Sequence, residues 1–295
     1  MQYSLIELES KITELPMLPA VIFELSKANP DDINFFDKLY ELAHSDPALA
    51  SMIISSANAA SSSPNVHIHS LKAALTRVGS QTIYRLVALA SVSKVFIPSR
   101  KHHKELWQHS VEVGILSAEI YKQLFGDGES VQVAYLCGLL HDIGRLVMFQ
   151  FSPDVIDSIA QADWETPDDL IDVESDKLGY DHCSLGYMVT KKMDLPSLIT
   201  NVIRYHHSVR ALKHPKVPKT IKRILISLQV ADAISVYVSR HDDCFNWCHE
   251  QLEADMIKSI IKPEWEIVLP IMPHICSILS SEIEKAEEQS RALGL

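Results

Sequence analysis

Apolar residues return at every third or fourth position along almost the whole of this 295-residue chain, the repeat of helices that bury one face. Nowhere does an alternation of apolar and polar residues run long enough to build a sheet. Glycine supports the same reading: 9 residues in 295, about 3% against a usual ~7%, are too few for a Gly-punctuated sandwich or a phosphate-cradling α/β fold. The breaks cut the pattern into helix-sized lengths. Ser45-Asp46-Pro47 predicts a capped start, with the aspartate as N-cap and the proline at the first helical position. That helix runs to a break at residues 61–64. A short helix is expected over residues 71–75, stopping near Gly79, and an apolar one over 81–95, ending before Pro98. Gly126-Asp127-Gly128 reads as a turn, and Pro153, Pro167, Pro196, Pro215, Pro218, Pro263, Pro270 and Pro273 mark further boundaries. The expected fold is all-α, with a helical N-terminal subdomain over 1–98, a central core over 99–240 and a C-terminal helical appendage over 241–295.

Charge and cysteine usage exclude several classes. A formal net charge of −11 repels nucleic acid and anionic membranes by default, and no recognition helix, zinc finger or aromatic stacking motif offsets it. The basic cluster Lys213, Lys216, Lys219, Lys222 and Arg223 reads as a solvated loop and helix start rather than a phosphate site. No run of 18 or more wholly apolar residues occurs, so no bilayer span is expected. The start, Met-Gln-Tyr-Ser-Leu-Ile, lacks the basic and apolar regions of a secretory signal. Cys137, Cys183, Cys244, Cys248 and Cys276 are odd in number and scattered, as reduced thiols in a cytoplasmic protein would be. Cys244 and Cys248 are spaced to share a helical face, with His241 and His249 nearby. Without a second Cys/His pair close in sequence, a plain helical pair is expected there rather than structural zinc. No Ser/His/Asp elbow, dinucleotide fingerprint or P-loop is present.

What the helical pattern does not absorb is a set of ionisable residues placed where core side chains belong. Leu106, Val113, Leu116 and Ile120 form an apolar stripe; His109 falls on it, and Glu105 lies one turn earlier. The segment 131–140 is apolar nearly all round and ends in His141-Asp142-Ile143-Gly144-Arg145. His182 shares a face with Leu178, Leu185 and Val189. His206 continues the face of Ile199, Val202 and Ile203, with His207 beside it, and Asp232 lies among Leu225, Leu228 and Ala231. A lone histidine on such a face is more often a satisfied core residue than a ligand. Together, however, buried carboxylates and imidazoles all need partners. Helices aiming His and Asp inward at one or two divalent ions satisfy all of them, as bundle metal sites do. Imidazole with carboxylate suits iron, manganese, zinc or nickel better than calcium or magnesium.

The order His109, His141-Asp142, Asp232 resembles the H…HD…D pattern of the HD superfamily of metal-dependent phosphohydrolases. The chain is more closely similar to the HDOD (HD-related output domain) family of bacterial signalling proteins. Leu15-Pro16-Met17-Leu18-Pro19, Ser45-Asp46-Pro47-Ala48-Leu49, the segment 70–79, and Leu106-Trp107-Gln108-His109-Ser110 carry that likeness. Gly138-Leu139-Leu140-His141-Asp142-Ile143-Gly144, Gly179-Tyr180-Asp181-His182, Tyr205-His206-His207 and Val230-Ala231-Asp232-Ala233 complete it. Likeness to related HD enzymes implies a ligand set of Glu105, His109, His141, Asp142, His182, His206, His207 and Asp232 around two or three divalent transition-metal ions. Two positions depart from cyclic-dinucleotide diesterases. Their Gly-Tyr-Pro motif is absent, since His207 is followed by Ser208-Val209-Arg210-Ala211-Leu212, and Arg145 stands where lysine is common. Arginine still grips a phosphate.

The resemblance implies a cytoplasmic regulatory protein that acts through signalling partners and retains the metal site in a structural or sensing role. The alternative it implies is an active phosphohydrolase on a nucleotide or other phosphate ester. In that case Asp142 bridges the metals, the histidines and Asp232 complete their shells, and Arg145 neutralises charge on a phosphoryl oxygen. A degenerate helical scaffold is the third possibility, disfavoured because drift would have replaced at least one costly buried ion.

Overall fold

The computed structural model describes residues 5–12, 34–45, 47–59, 67–97, 100–162, 164–241 and 243–292. Those residues are overwhelmingly helical, with no strand among them. The N-terminal helices are α1 (Leu5–Ile12), α2 (Phe35–His44), α3 (Pro47–Ala59), α4 (Leu71–Val78) and α5 (Ser80–Ser93). Helix α2 buries Phe35, Leu39 and Ala43 at intervals of four. The Ser70 hydroxyl caps α4 by accepting from the Ala73 amide at 3.2 Å. Helix α5 buries nearly all of its circumference from Ile83 to Val92. The expected helices at 71–75 and 81–95 are therefore present, with ends moved by a few residues. Leu15 to Pro19, Asp46, the break at 61–64 and Pro98 lie outside the described residues.

The centre is built on α6 (Lys101–Phe125), a 25-residue helix against which α7 (Glu129–Leu140) lies. Their crossing is tight because of two glycines. A Cβ at Gly138 would stand 2.7 Å from both the Gly114 Cα and the Val113 carbonyl oxygen, so only glycine lets the backbones approach this closely. Helix α8 (Ile143–Phe151) starts directly after His141-Asp142, and α9 (Pro153–Ala160) and α10 (Pro167–Leu178) follow. Pro153 and Pro167 sit in the first turns, where a missing N–H leaves no bond unmade. A capping box between Thr166 and Asp169 fixes the start of α10.

Helix α11 (His182–Lys192) crosses α8 at a second glycine contact, where a Cβ on Gly144 would collide with the His182 carbonyl oxygen. Next come α12 (Ser197–Tyr205), the short α13 (Val209–Lys213) and the long α14 (Lys219–Arg240), which packs on α6 and α7. A 3-10 turn (Cys244–Asn246), α15 (His249–Ile260), a 3-10 segment (Pro263–Ile271) and α16 (Met272–Ala292) finish the described chain.

The C-terminal segment folds back onto the core. Helix α16 packs on α6, and the Trp265 indole donates to Gln229 Oε1 at 3.0 Å. One cluster of buried apolar side chains extends from Ile12 to Ala286. Cys244 and Cys248 do not share a helical face: the first is buried in the 3-10 turn, the second is exposed ahead of α15. An extended Trp247 separates them. Ser130–Phe151 and Pro263–Arg291 are long and apolar enough by composition to cross a membrane. In the first, an 18-residue window is 94% buried inside the protein, where the stretch forms α7 and α8 around His141-Asp142.

Candidate metal centre

Each inward-facing group is delivered by a recognisable piece of local structure. His141 and Asp142 form the joint between α7 and α8, the first ending one helix and the second preceding the other. His182 opens α11, whose N-cap Asp181 accepts from the Ser184 amide at 2.6 Å. His206 and His207 form the turn that ends α12. His109 comes from the middle of α6 and Asp232 from the middle of α14, where those two helices pack together.

These residues converge. His109 Nε2 lies 3.3 Å from Asp232 Oδ1 and 3.9 Å from Asp142 Oδ2. His141 Nε2 lies 3.7 Å from Asp142 Oδ2 and 4.0 Å from Asp232 Oδ1. On the other side of Asp142, His182 Nε2 is 3.3 Å from Oδ1. It is also 3.1 Å from the Nε2 atoms of both His206 and His207. Asp142 thus presents one oxygen to each half of the cluster.

The remaining ring nitrogens decide what this convergence means. Carbonyl oxygens only accept, so the 2.7 Å contacts of His141 Nδ1 with Gly138 O and of His206 Nδ1 with Ile203 O put protons on both Nδ1 atoms. His182 Nδ1 donates to Glu174 Oε2 at 2.6 Å, and the same oxygen accepts from the His182 amide at 2.8 Å. His109 Nδ1 donates to Ser235 Oγ at 3.0 Å, because the Ser235 hydroxyl gives its own proton to Glu112 Oε2 at 2.5 Å. Gln108 holds the other Glu112 oxygen at 2.9 Å. In the neutral rings Nε2 is then a lone pair at His109, His141, His182 and His206, all turned toward the carboxylates or one another. Acceptors crowded together in a buried space call for a proton or a metal ion between them.

Protonation shows the same demand. Burial opposes charging His182, but Glu174, Cys183 and Asp142 outweigh it and raise its pKa well above the ordinary histidine value. One added proton on Nε2 serves only one of its two histidine neighbours. Burial, with His182 and His141 nearby, pushes His206 down to about 3. Burial likewise lowers His207 and His141. Burial works against ionised Asp142 and Asp232, yet the surrounding histidines, and Arg145 beside Asp142, hold both below the usual carboxylate range. These donors could hold a metal ion: neutral imidazole nitrogens, those of His109, His141, His182 and His206 fixed from behind, facing carboxylate oxygens.

Glu105 is the exception among the sequence-derived ligands. Its side chain is 52% exposed and pairs with Lys101 at 3.2 Å and His102 at 2.8 Å, so it is not brought into the cluster. Leu106, Trp107 and His103 take the buried positions around it. The carboxylate that supports His109 is Glu112, three residues on and acting through Ser235. Sequence reasoning missed Glu112 and Glu174, although both carry the signal that found the histidines. Glu174 interrupts the stripe of Leu170 and Leu178, and Glu112 lies on the face of His109 and Leu116. Arg145 is buried, with one guanidinium nitrogen 3.0 Å from Asp142 Oδ2 and Nε 3.6 Å from Glu174 Oε1.

Two cavities border the cluster. One of about 650 Å³ is lined by His109, Glu112, Asp142, Arg145, Trp164 and Asp232, among others. The other, of about 740 Å³, includes His206, His207, Asp232, Lys262 and Trp265 in its walls. His207, Asp232 and Arg240 border both.

An all-helical chain whose helix ends and centres aim histidines and aspartates at one point has the architecture of the HD class. Residues 15–209 match the HDOD domain model, and the chain belongs to the HDOD family. The match stops before α14, so Asp232 and Ser235 come from beyond it. The chain is similar to a crystallised HDOD domain protein of unknown function from Geobacter sulfurreducens. The TM-score is 0.68 with 20% identity, and the likeness covers 96% of each chain. It is also similar in fold to a Shewanella amazonensis protein named as a candidate phosphohydrolase, with a TM-score of 0.60, 22% identity and coverage of 97% of this chain and 96% of that one. An uncharacterized protein of Treponema pallidum is 25% identical over 226 residues, which are 75% of this chain and 42% of that protein. The chain therefore spans less than half the length of that relative.

Proposed function

We propose that this chain is a regulatory HDOD protein of bacterial signal transduction whose His/Asp cluster holds two divalent transition-metal ions. The observation that carries this reading is the convergence of Nε2 lone pairs whose opposite ring nitrogens are already committed. His109, His141, Asp232 and Asp142 Oδ2 form one donor set; His182, His206, His207 and Asp142 Oδ1 form the other. Metal binding to the folded chain alone adds to its stability in proportion to the logarithm of free metal concentration. Chelator-stripped protein should therefore melt higher on addition of Mn²⁺, Fe²⁺ or Zn²⁺, and His141→Ala should remove most of that rise. A melting curve indifferent to all three ions would refute the reading.

A second reading, phosphohydrolase activity, is supported by the cavities. A site kept only for structure is closed, whereas this one borders spaces of substrate size. Ions bound there supply Lewis acidity and make water a better nucleophile at neutral pH. Asp142 and Asp232 would hold them, Glu174 and Glu112 would fix the imidazoles, and the wall that carries Arg145 and Arg240 would receive the phosphate. Hydrolysis of cyclic dinucleotides, cyclic mononucleotides, deoxynucleoside triphosphates or model esters by anaerobically metallated protein tests this. No turnover, with His141→Ala indistinguishable from the parent, would leave the regulatory reading standing alone.

A further inference from the structure

Four of the five clustered histidines have the nitrogen opposite Nε2 committed: His141 and His206 to carbonyls, His182 to Glu174, and His109 to Ser235. His207 is the exception. Its Nε2 faces His182 Nε2 at 3.1 Å, yet its Nδ1 makes no hydrogen bond among the described residues. Two carboxylate oxygens stand beside that nitrogen, Asp168 Oδ1 and Asp232 Oδ2, each at 3.9 Å. Both are about 1 Å beyond a charge-assisted hydrogen bond.

The two are not equivalent. Asp232 is buried in the middle of α14, and its other oxygen lies 3.3 Å from His109 Nε2, so its charge is directed to the opposite half of the cluster. Asp168 is the second residue of α10, with a half-exposed side chain. Its Oδ2 is held by Lys262 Nζ, which leaves Oδ1 to face His207. Asp168, His207 and Lys262 all line the larger cavity. Helix α10 already supplies one group of this kind. Glu174 gives one oxygen to His182 Nδ1 and turns the other toward Arg145 Nε at 3.6 Å. Asp168 repeats the arrangement, with one oxygen toward an imidazole and the other on a cation.

We propose that Asp168 is a positioning residue of the metal centre: when an ion occupies His207 Nε2, Asp168 Oδ1 closes on His207 Nδ1 and accepts its hydrogen bond. The inference rests on the two-metal reading above. An ion on Nε2 draws electron density from the ring and makes Nδ1–H a stronger donor, and the carboxylate in return makes Nε2 a better ligand. A gap of ~1 Å lies within reach of side-chain rotation, with α10 unmoved. Lys262 directly precedes the 3-10 segment Pro263–Ile271, so this contact ties the C-terminal part of the chain to the ion.

Imidazole N–H resonances of the zinc-loaded full chain test this, because a ring proton held by an acceptor resists exchange with solvent and an unheld one is lost. The His207 Nδ1 proton should be visible in the parent and lost in Asp168→Ala, while the His182 Nδ1 proton stays in both. Competition with a chromophoric chelator should show one zinc ion bound about 10-fold more weakly in Asp168→Ala, the low end of the usual range because the side chain is half-exposed. Asp176→Asn, which removes an exposed charge from the same helix, should leave both affinities as they are. A His207 proton absent from the zinc-loaded parent, or one that survives Asp168→Ala because Asp232 holds it, would overturn the role of Asp168 and leave the metal centre intact. Zinc bound as tightly by Asp168→Ala as by Asp176→Asn would do the same. A parent that binds no zinc would overturn both.

Discussion

Glu174 and His182 show how a single residue sets the chemistry of the centre. The carboxylate accepts from both the ring and the amide of His182, which fixes the ring's orientation and commits its Nδ1 proton. Glu174→Gln keeps the shape and removes the charge. Loss of such a supporting carboxylate typically lowers metal affinity about 10–100-fold, and competition with a chromophoric chelator should show a drop of that order. Unchanged affinity would mean that Glu174 only fills space. The histidines also set the acid limit of the metal-free chain. His141, His206 and His207 are depressed, whereas His109 and His182 are raised by Asp232 and Glu174 against the effect of burial. Below the ordinary histidine pKa of about 6.5, the unfolded chain binds protons at all five positions and the folded chain at two, so stability falls on acidification. The depressed Asp142 and Asp232 add to that loss at lower pH. Above about 6.5 the sign reverses, because the folded chain keeps protons at His109 and His182 that the unfolded chain has shed. Denaturant unfolding at a series of pH values should place the stability maximum of the metal-free chain near ~6.5. A maximum displaced above about pH 8 would contradict these opposed histidine shifts.

At the scale of elements, close approach of helices does as much as the ligands themselves. The α6–α7 crossing at Gly114 and Gly138 brings His109 within reach of His141, whose ring centroids lie 5.2 Å apart. Gly138→Ala places a methyl against backbone that has no rotamer to yield. Overpacking of this kind costs about 1–3 kcal/mol, read as a lower denaturant midpoint. Metal affinity should fall with it, because the two imidazoles move apart; a variant destabilised but fully metallated would sever that link. The helices and several of their ends were legible in the sequence, because apolar periodicity, proline and glycine report on local backbone. The identity of the supporting glutamate was not. Glu105 and Glu112 are both within one turn of His109, and only the packing of α14, which brings Ser235 to Glu112, distinguishes them. Cys244 and Cys248 failed similarly, since their spacing suits a helix that the chain leaves at Trp247.

Across the whole molecule, the C-terminal segment is part of one core rather than a separate annex. Leu279 on α16 is fully buried, and α16 packs on α6, the helix that carries His109. Leu279→Ala should cost about 2–5 kcal/mol and lower the same melting transition that bound metal raises. A separate early transition, with the metal-dependent one unmoved, would show two independent units. His109, His182, His206 and Asp232 stood out in the sequence because each interrupts an apolar stripe, and His141-Asp142 because it ends a buried helix. Their convergence and the straddling role of Asp142 exist only in three dimensions. Elemental analysis of the full chain purified without chelator, beside Asp142→Asn, tests that convergence most directly. The parent chain should carry two transition-metal ions and the variant at most one; a parent with only trace metal, or a variant with an unchanged pair, would show that the side chains do not gather around a shared metal centre.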